Sequence, residues 1–150
     1  MHYARCHTVL NGHYGHETQQ HRAMKRVIAR LYRLLGWLVL FEQQFCDVVA
    51  WRCGPSGCVR IVGIEAERHA TRHVCVNVQR NLAKGCQRVL MVASNEQLRA
   101  ALKRIVRGNL SHDVCKKVGI TTIEQIERTI SRLEARHARA SLVTSDPDSL

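Results

Sequence analysis

Three carboxylates stand out as residues able to do chemistry together: Asp47, Glu65 and Glu67. They bracket the stretch D-V-V-A-W-R-C-G-P-S-G-C-V-R-I-V-G-I-E-A-E, residues 47–67. Two apolar, β-branched runs, 47–52 and 58–67, flank Gly54-Pro55-Ser56-Gly57, which is the pattern of a β-hairpin. Side chains alternate faces along a strand, so Glu65 and Glu67 share one face and Ala66 takes the other. Asp47 opens the neighbouring strand, and a hairpin of this length brings it towards the two glutamates. Carboxylates gathered on one sheet face repel unless a cation neutralises them, and a hard ion such as Mg²⁺ accepts such oxygen ligands while keeping several waters. The competing reading is that these are solvated acids at strand ends.

The setting of these acids is basic. Lys and Arg total 23 against 12 Asp and Glu, a formal net charge of +11. Such an excess points to a polyanionic partner, nucleic acid ahead of an anionic membrane. The N-terminus is polar and His-rich, without the charged start and apolar core of a signal peptide. The longest apolar run, Trp37 to Phe41, is too short to span a bilayer. Seven cysteines, an odd number, read as free thiols of a reducing cytoplasm. Cys53 and Cys58 flank the hairpin turn and form a second, less favoured reading as a disulfide.

Other elements must position the carboxylates. Residues 1–20 show no sustained period and read as a flexible N-terminal arm. Cys6, His7, His13 and His16 within it raise a zinc site, although their spacing fits no standard finger. From Gln20 to Leu35 an apolar stripe of Met24, Val27, Ile28, Leu31, Leu34 and Leu35 predicts a helix, stopped by Gly36. Its other faces carry Arg22, Lys25 and Arg26, candidate contacts to phosphates. Trp37 to Phe45 predicts a first strand with Glu42 near its end, so three strands in succession suggest an antiparallel meander. After Glu67, Val74, Val78 and Leu82 predict a helix from about His69 to Ala83, closed by Gly85. Asn77, Gln79, Arg80 and Lys84 are its polar groups. Gln87 to Ala93 predicts a buried strand, parallel to the one before it through a right-handed crossover. Ser94 with Gln97 suggests a capping box opening a further helix, Val118 to Thr121 a short last strand, and Thr122 with Gln125 the start of a final helix. The tail 138–150 reads as disordered.

The order of elements, helix, three strands, helix, strand, with acids on the second and third strands, resembles the PD-(D/E)XK nuclease superfamily, which includes restriction enzymes and archaeal Holliday junction resolvases. The family pattern is an Asp opening one strand, then an acidic residue, any residue and a lysine on the next. Asp47 matches the first element and Glu65-Ala66-Glu67 the second, with Glu67 in the lysine's place and Cys46 where a proline usually precedes the Asp. The resemblance implies an α/β fold, a restriction endonuclease-like mixed central sheet with an αβββαβ core flanked by helices, over residues 21–137. It implies a divalent-metal-dependent endonuclease that hydrolyses phosphodiester bonds in DNA. Asp47 and Glu65 would hold Mg²⁺ or Mn²⁺, and Glu67 would act as general base or bind a second metal. Glu42 is a secondary candidate ligand and Gln79 a secondary phosphate or water contact. Arg22, Lys25, Arg26, Arg80 and Lys84 are the candidate nucleic-acid contacts, in a cytoplasmic protein expected as a homodimer or in a larger complex. The alternative is a catalytically inactive nucleic-acid-binding module of the same fold, or a subunit of a larger nucleic-acid-processing complex.

Overall fold

A computed structural model describes residues 17–42 and 46–143. The sheet has five strands: β1 (Leu38–Phe41), β2 (Val48–Cys53), β3 (Val59–Glu67), β4 (Arg88–Ala93) and β5 (Val118–Thr122). They lie side by side in chain order. The first three form an antiparallel meander, and β4 and β5 extend it in parallel. Helix α1 (Gln19–Leu34) precedes the sheet, α2 (His73–Ala83) joins β3 to β4, and α3 (Glu96–Asn109) with the short α4 (His112–Cys115) joins β4 to β5. Helix α5 (Ile123–Val143) follows the last strand. The protein is therefore a mixed α/β fold with helices on both faces of a mixed sheet.

The period-2 pattern of β3 explains the two layers. Ile64 and Ala66 point into a core with Met24, Ile28 and Leu31 of α1 and Ile126 and Ile130 of α5. On the opposite face, Val89, Met91 and Ala93 of β4 pack with Val74 and Val78 of α2 and Leu102 and Val106 of α3. Glu65 and Glu67 pair in register with Met91 and Ala93, so both glutamates rise on the α2 face. Among the described residues, no helix is long and apolar enough to cross a membrane.

Local chemistry accounts for the boundaries. Thr18 caps α1 by accepting from the His21 N–H, and Gly36 at φ 76° lets the chain leave that helix left-handed. The hairpin turn is as expected: Gly57 takes φ 74° and its N–H bonds the Gly54 carbonyl at 3.0 Å. Strand β1 is shorter than the sequence predicts. Glu42 adopts φ 53° and turns the chain, while residues 43–45 lie outside the described range, as does the zinc reading on residues 6–16. Helix α2 begins at His73 rather than His69, because residues 68–72 form an irregular crossing over the strand end. The cap of α3 is Asn95, whose Oδ1 accepts from the Leu98 N–H at 2.8 Å, not Ser94. Thr122 does cap α5, accepting from the Gln125 N–H at 3.2 Å. That helix runs to Val143, past the expected start of a disordered tail at 138. The run Arg136-His137-Ala138-Arg139-Ala140 lacks Gly and Pro, so nothing in it stops a helix.

Gly63 is a packing requirement. A Cβ built there would lie 3.0 Å from Cys46 Sγ and 3.1 Å from Cys86 Sγ, both buried. Gly63→Ala is expected to lower stability by about 1–3 kcal/mol through overpacking, although alanine suits a strand better than glycine. Urea denaturation of this variant, and of Gly63→Ala combined with Cys46→Ala, checks the cause: removing the sulfur should recover part of the loss.

Candidate functional site

The register that builds the hairpin also builds the site. Val48 pairs with Ile64, so Asp47 arrives beside Glu65 at the end of the antiparallel ladder. One hydrogen bond locks this arrangement: Asp47 Oδ2 accepts from the Ala66 N–H at 2.8 Å. Glu65 is buried, and its Oε1 accepts from Asn81 Nδ2 of α2 at 2.6 Å. Asn81 is itself fully buried. Asp47 Oδ2 lies 3.0 Å from His21 Nε2, which comes from the first turns of α1.

These groups line one open cavity of about 360 Å³: His21, Asp47, Glu65, Ala66, Glu67, Arg68, His69, Thr71 and Asn77. The irregular crossing after β3 thus supplies Arg68, His69 and Thr71 to the rim. Arg68 is steadied by donating from Nη1 to Thr18 Oγ1 at 2.8 Å. A larger cavity of about 700 Å³ is walled mainly by apolar groups such as Leu31, Trp37, Val62 and Leu90, without a carboxylate. Size does not select the chemistry here; the smaller cavity holds the reactive groups.

Burial and charge act together on the glutamates. Glu65 is pushed up to about 7, first by burial and then by the neighbouring Asp47, against the opposing hydrogen bond from Asn81 and the charge of Arg80. Glu67 is likewise pushed up to about 7, by burial first, then by Glu65 and Asp47. Both therefore sit where proton exchange is feasible near neutral pH. Among the described residues, no three His, Cys, Asp or Glu side chains close round a common point that could hold a metal ion. Asp47 Oδ2 and Glu65 Oε1 are already engaged by hydrogen bonds. The donor set still suits a hard cation held by two carboxylates with water completing its shell, which is how Mg²⁺ is commonly bound.

The other sequence-selected residues fall elsewhere. Glu42 lies in a separate groove with Arg22, Lys25, Arg26, Arg33 and Phe41, and its Oε1 accepts from Lys25 Nζ at 2.7 Å. It stands outside the carboxylate cavity and is paired. Lys25 is buried between Glu17 and Glu42, so its charge is spent within the fold. Arg22 and Arg26 are exposed on α1, with Arg22 Nε 3.2 Å from Glu17 Oε2. Gln79 points to solvent; Asn77 and Asn81, four residues apart, are the α2 groups that face the carboxylates. Arg80 donates to Asn77 Oδ1 at 2.7 Å and lies within electrostatic reach of Glu65. Lys84 is exposed at the far end of α2. His21, Asn81 and the segment 68–71 were not singled out by the sequence. The i, i+4 spacing of Asn77 and Asn81, with Asn81 among apolar positions, was the available signal.

No protein-family model matches the sequence, and no curated protein matches it significantly. Geometry and chemistry therefore carry the functional reading.

The raised glutamates fix the sign of a pH effect. Folded Glu65 holds its proton to about 7, against an ordinary value of 4.5, so the native state binds more protons than the unfolded chain across that window. Metal-free stability should be highest below about pH 4.5 as far as this group is concerned, and fall by about 3 kcal/mol by pH 8. Chemical denaturation across pH 5–8 checks this, and Asp47→Asn should flatten the slope by removing one repelling charge.

Proposed function

We propose that this chain is a divalent-metal-dependent nuclease of the PD-(D/E)XK kind, with a restriction endonuclease-like fold, acting on phosphodiester bonds in DNA. One observation carries this reading: Asp47, Glu65 and Glu67 share a single cavity at the end of β3, rimmed by Arg68, His21 and His69. Acids that repel in isolation, set in a chain of net charge +11, suit a cation bridging protein and phosphate.

In this reading Asp47 and Glu65 would hold Mg²⁺ or Mn²⁺, which would supply activation of a water and neutralisation of charge at phosphorus. Glu67 accepts the proton of the attacking water, a role its raised proton affinity permits. His21, fixed against Asp47 Oδ2, orients that carboxylate. Arg68 offers a cation, and Thr71 and Asn77 offer hydrogen bonds, to the non-reacting phosphate oxygens. The exposed Arg22 and Arg26 extend the basic surface beyond the cavity. A second reading, an inactive nucleic-acid-binding module, is favoured by the engagement of Asp47 Oδ2 with Ala66 and His21, which leaves fewer oxygens for a metal.

The deciding experiment incubates the protein with linear, nicked and branched DNA in Mg²⁺ or Mn²⁺. Cleavage is expected, and Glu67→Gln should reduce its rate by about 10²–10⁴ while DNA binding survives. Asp47→Asn should weaken Mn²⁺ binding in calorimetry. Binding without cleavage in either metal selects the second reading.

Both readings share one further expectation. Affinity for duplex DNA should fall steeply with salt, because several phosphate contacts release counterions. A log–log plot of affinity against salt with a slope near zero would remove nucleic acid as the partner.

A further inference from the structure

Beneath the carboxylates lies a second polar cluster that the proposed chemistry does not use. Cys46, immediately before Asp47, and Cys86, in the connection from α2 to β4, are 2% and 4% exposed. They come from positions 40 residues apart in sequence, yet each sulfur lies about 3 Å from the single point that a side chain on Gly63 would occupy. With Val49 they form their own buried cluster. Both sulfurs therefore border the same small space above Gly63. Buried cysteines commonly serve as small apolar groups. Two of them facing one point over a strand glycine form something more specific.

We propose that Cys46 and Cys86 are a buried dithiol that closes to a disulfide on two-electron oxidation by a peroxide, tying the start of β2 to the α2–β4 connection. In the first step the Cys86 sulfur attacks one oxygen of hydrogen peroxide and the O–O bond breaks. The second oxygen leaves with the thiol proton as water, and Cys86 becomes a sulfenic acid. The Cys46 sulfur then attacks the Cys86 sulfur. The S–O bond breaks, and the hydroxyl leaves with the Cys46 proton as a second water. Two thiols and one peroxide thus give one disulfide and two waters.

The location gives the bond a consequence. Cys46 is covalently next to Asp47. The Cys86 N–H donates to the Asn81 carbonyl at 3.1 Å, and the Asn81 side chain holds Glu65. Drawing the sulfurs to about 2.05 Å pulls on both neighbours of the carboxylate pair. The proposal itself does not depend on the nuclease reading, since it concerns bond formation and not activity.

The full chain is treated with hydrogen peroxide, remaining thiols are alkylated under denaturing conditions, and the digest is mapped by mass spectrometry. The exposed Cys53 and Cys58 report independently that the oxidant has acted. The expected result is a peptide pair joined through Cys46 and Cys86, two hydrogens lighter than its parts and separated again by dithiothreitol. The oxidised protein should also melt about 5–10 °C higher, because the link closes a long chain loop, and dithiothreitol should reverse the shift. Cys86→Ala should abolish both signals. Recovery of Cys46 and Cys86 as alkylated thiols, or the pairing of either with another cysteine, overturns the proposal; the mapping is done on the wild-type chain and needs no variant to fold.

Discussion

The hydrogen bond between Asp47 and the end of β3 is the constraint on which the site depends. The Asp47 carboxylate takes the Ala66 N–H at 2.8 Å. That bond satisfies a backbone donor where the antiparallel ladder has ended, and a buried donor left open would cost about 1–3 kcal/mol. The same bond holds the Asp47 carboxylate beside Glu65. Backbone satisfaction and electrostatic repulsion are thus opposed at one place, and the backbone prevails.

The repulsion that results is only partly offset. Asn81, Arg80 and His21 each direct a polar or positive group at the acids, but Glu65 and Glu67 remain well above the ordinary carboxylate range. In a chain this basic, unrelieved negative charge at one end of the sheet is a local exception. It can be relieved by a proton or by a cation, and the open cavity gives either of them access from solvent. Stability is given up at a point where charge can then be exchanged, a common feature of functional sites. Below this layer, Gly63 makes room for the buried Cys46 and Cys86, which pack beneath Asp47.

The connection between β3 and α2 shows how position decides role. His69 and Thr71 belong to the helix in a periodicity reading, yet residues 68–72 stay irregular and cross the strand end. Because parallel β4 pairs up to Glu67↔Ala93, the chain must turn at the top of the sheet before descending as α2. That turn brings Arg68 over Thr18 and places cationic and hydroxyl groups beside the carboxylates. The N-terminal turns of α1 reach the same place from the other side through His21.

Much of this fold was legible from residue order. The two glutamates share a face because strands alternate, the turn follows from Gly54-Pro55-Ser56-Gly57, and the meander with its parallel extension follows from short and long connections. The convergence of Asp47, Glu65 and Glu67 was legible for the same reason: hairpin register is a local property. Long-range placement was not. Gln79 and Asn81 are both polar residues of one helix, and only its rotation against the sheet aims Asn81 at Glu65 and leaves Gln79 in water. Lys25 reads as a surface cation until Glu17 and Glu42 are seen to enclose it. His21 reaches Asp47 across 26 positions, and Cys46 meets Cys86 over Gly63. Periodicity and register act between neighbours in the chain, so the sequence by itself determined which strand end carries the acids. Which groups surround them depends on how helices pack on the sheet, and that was decided only in the tertiary structure.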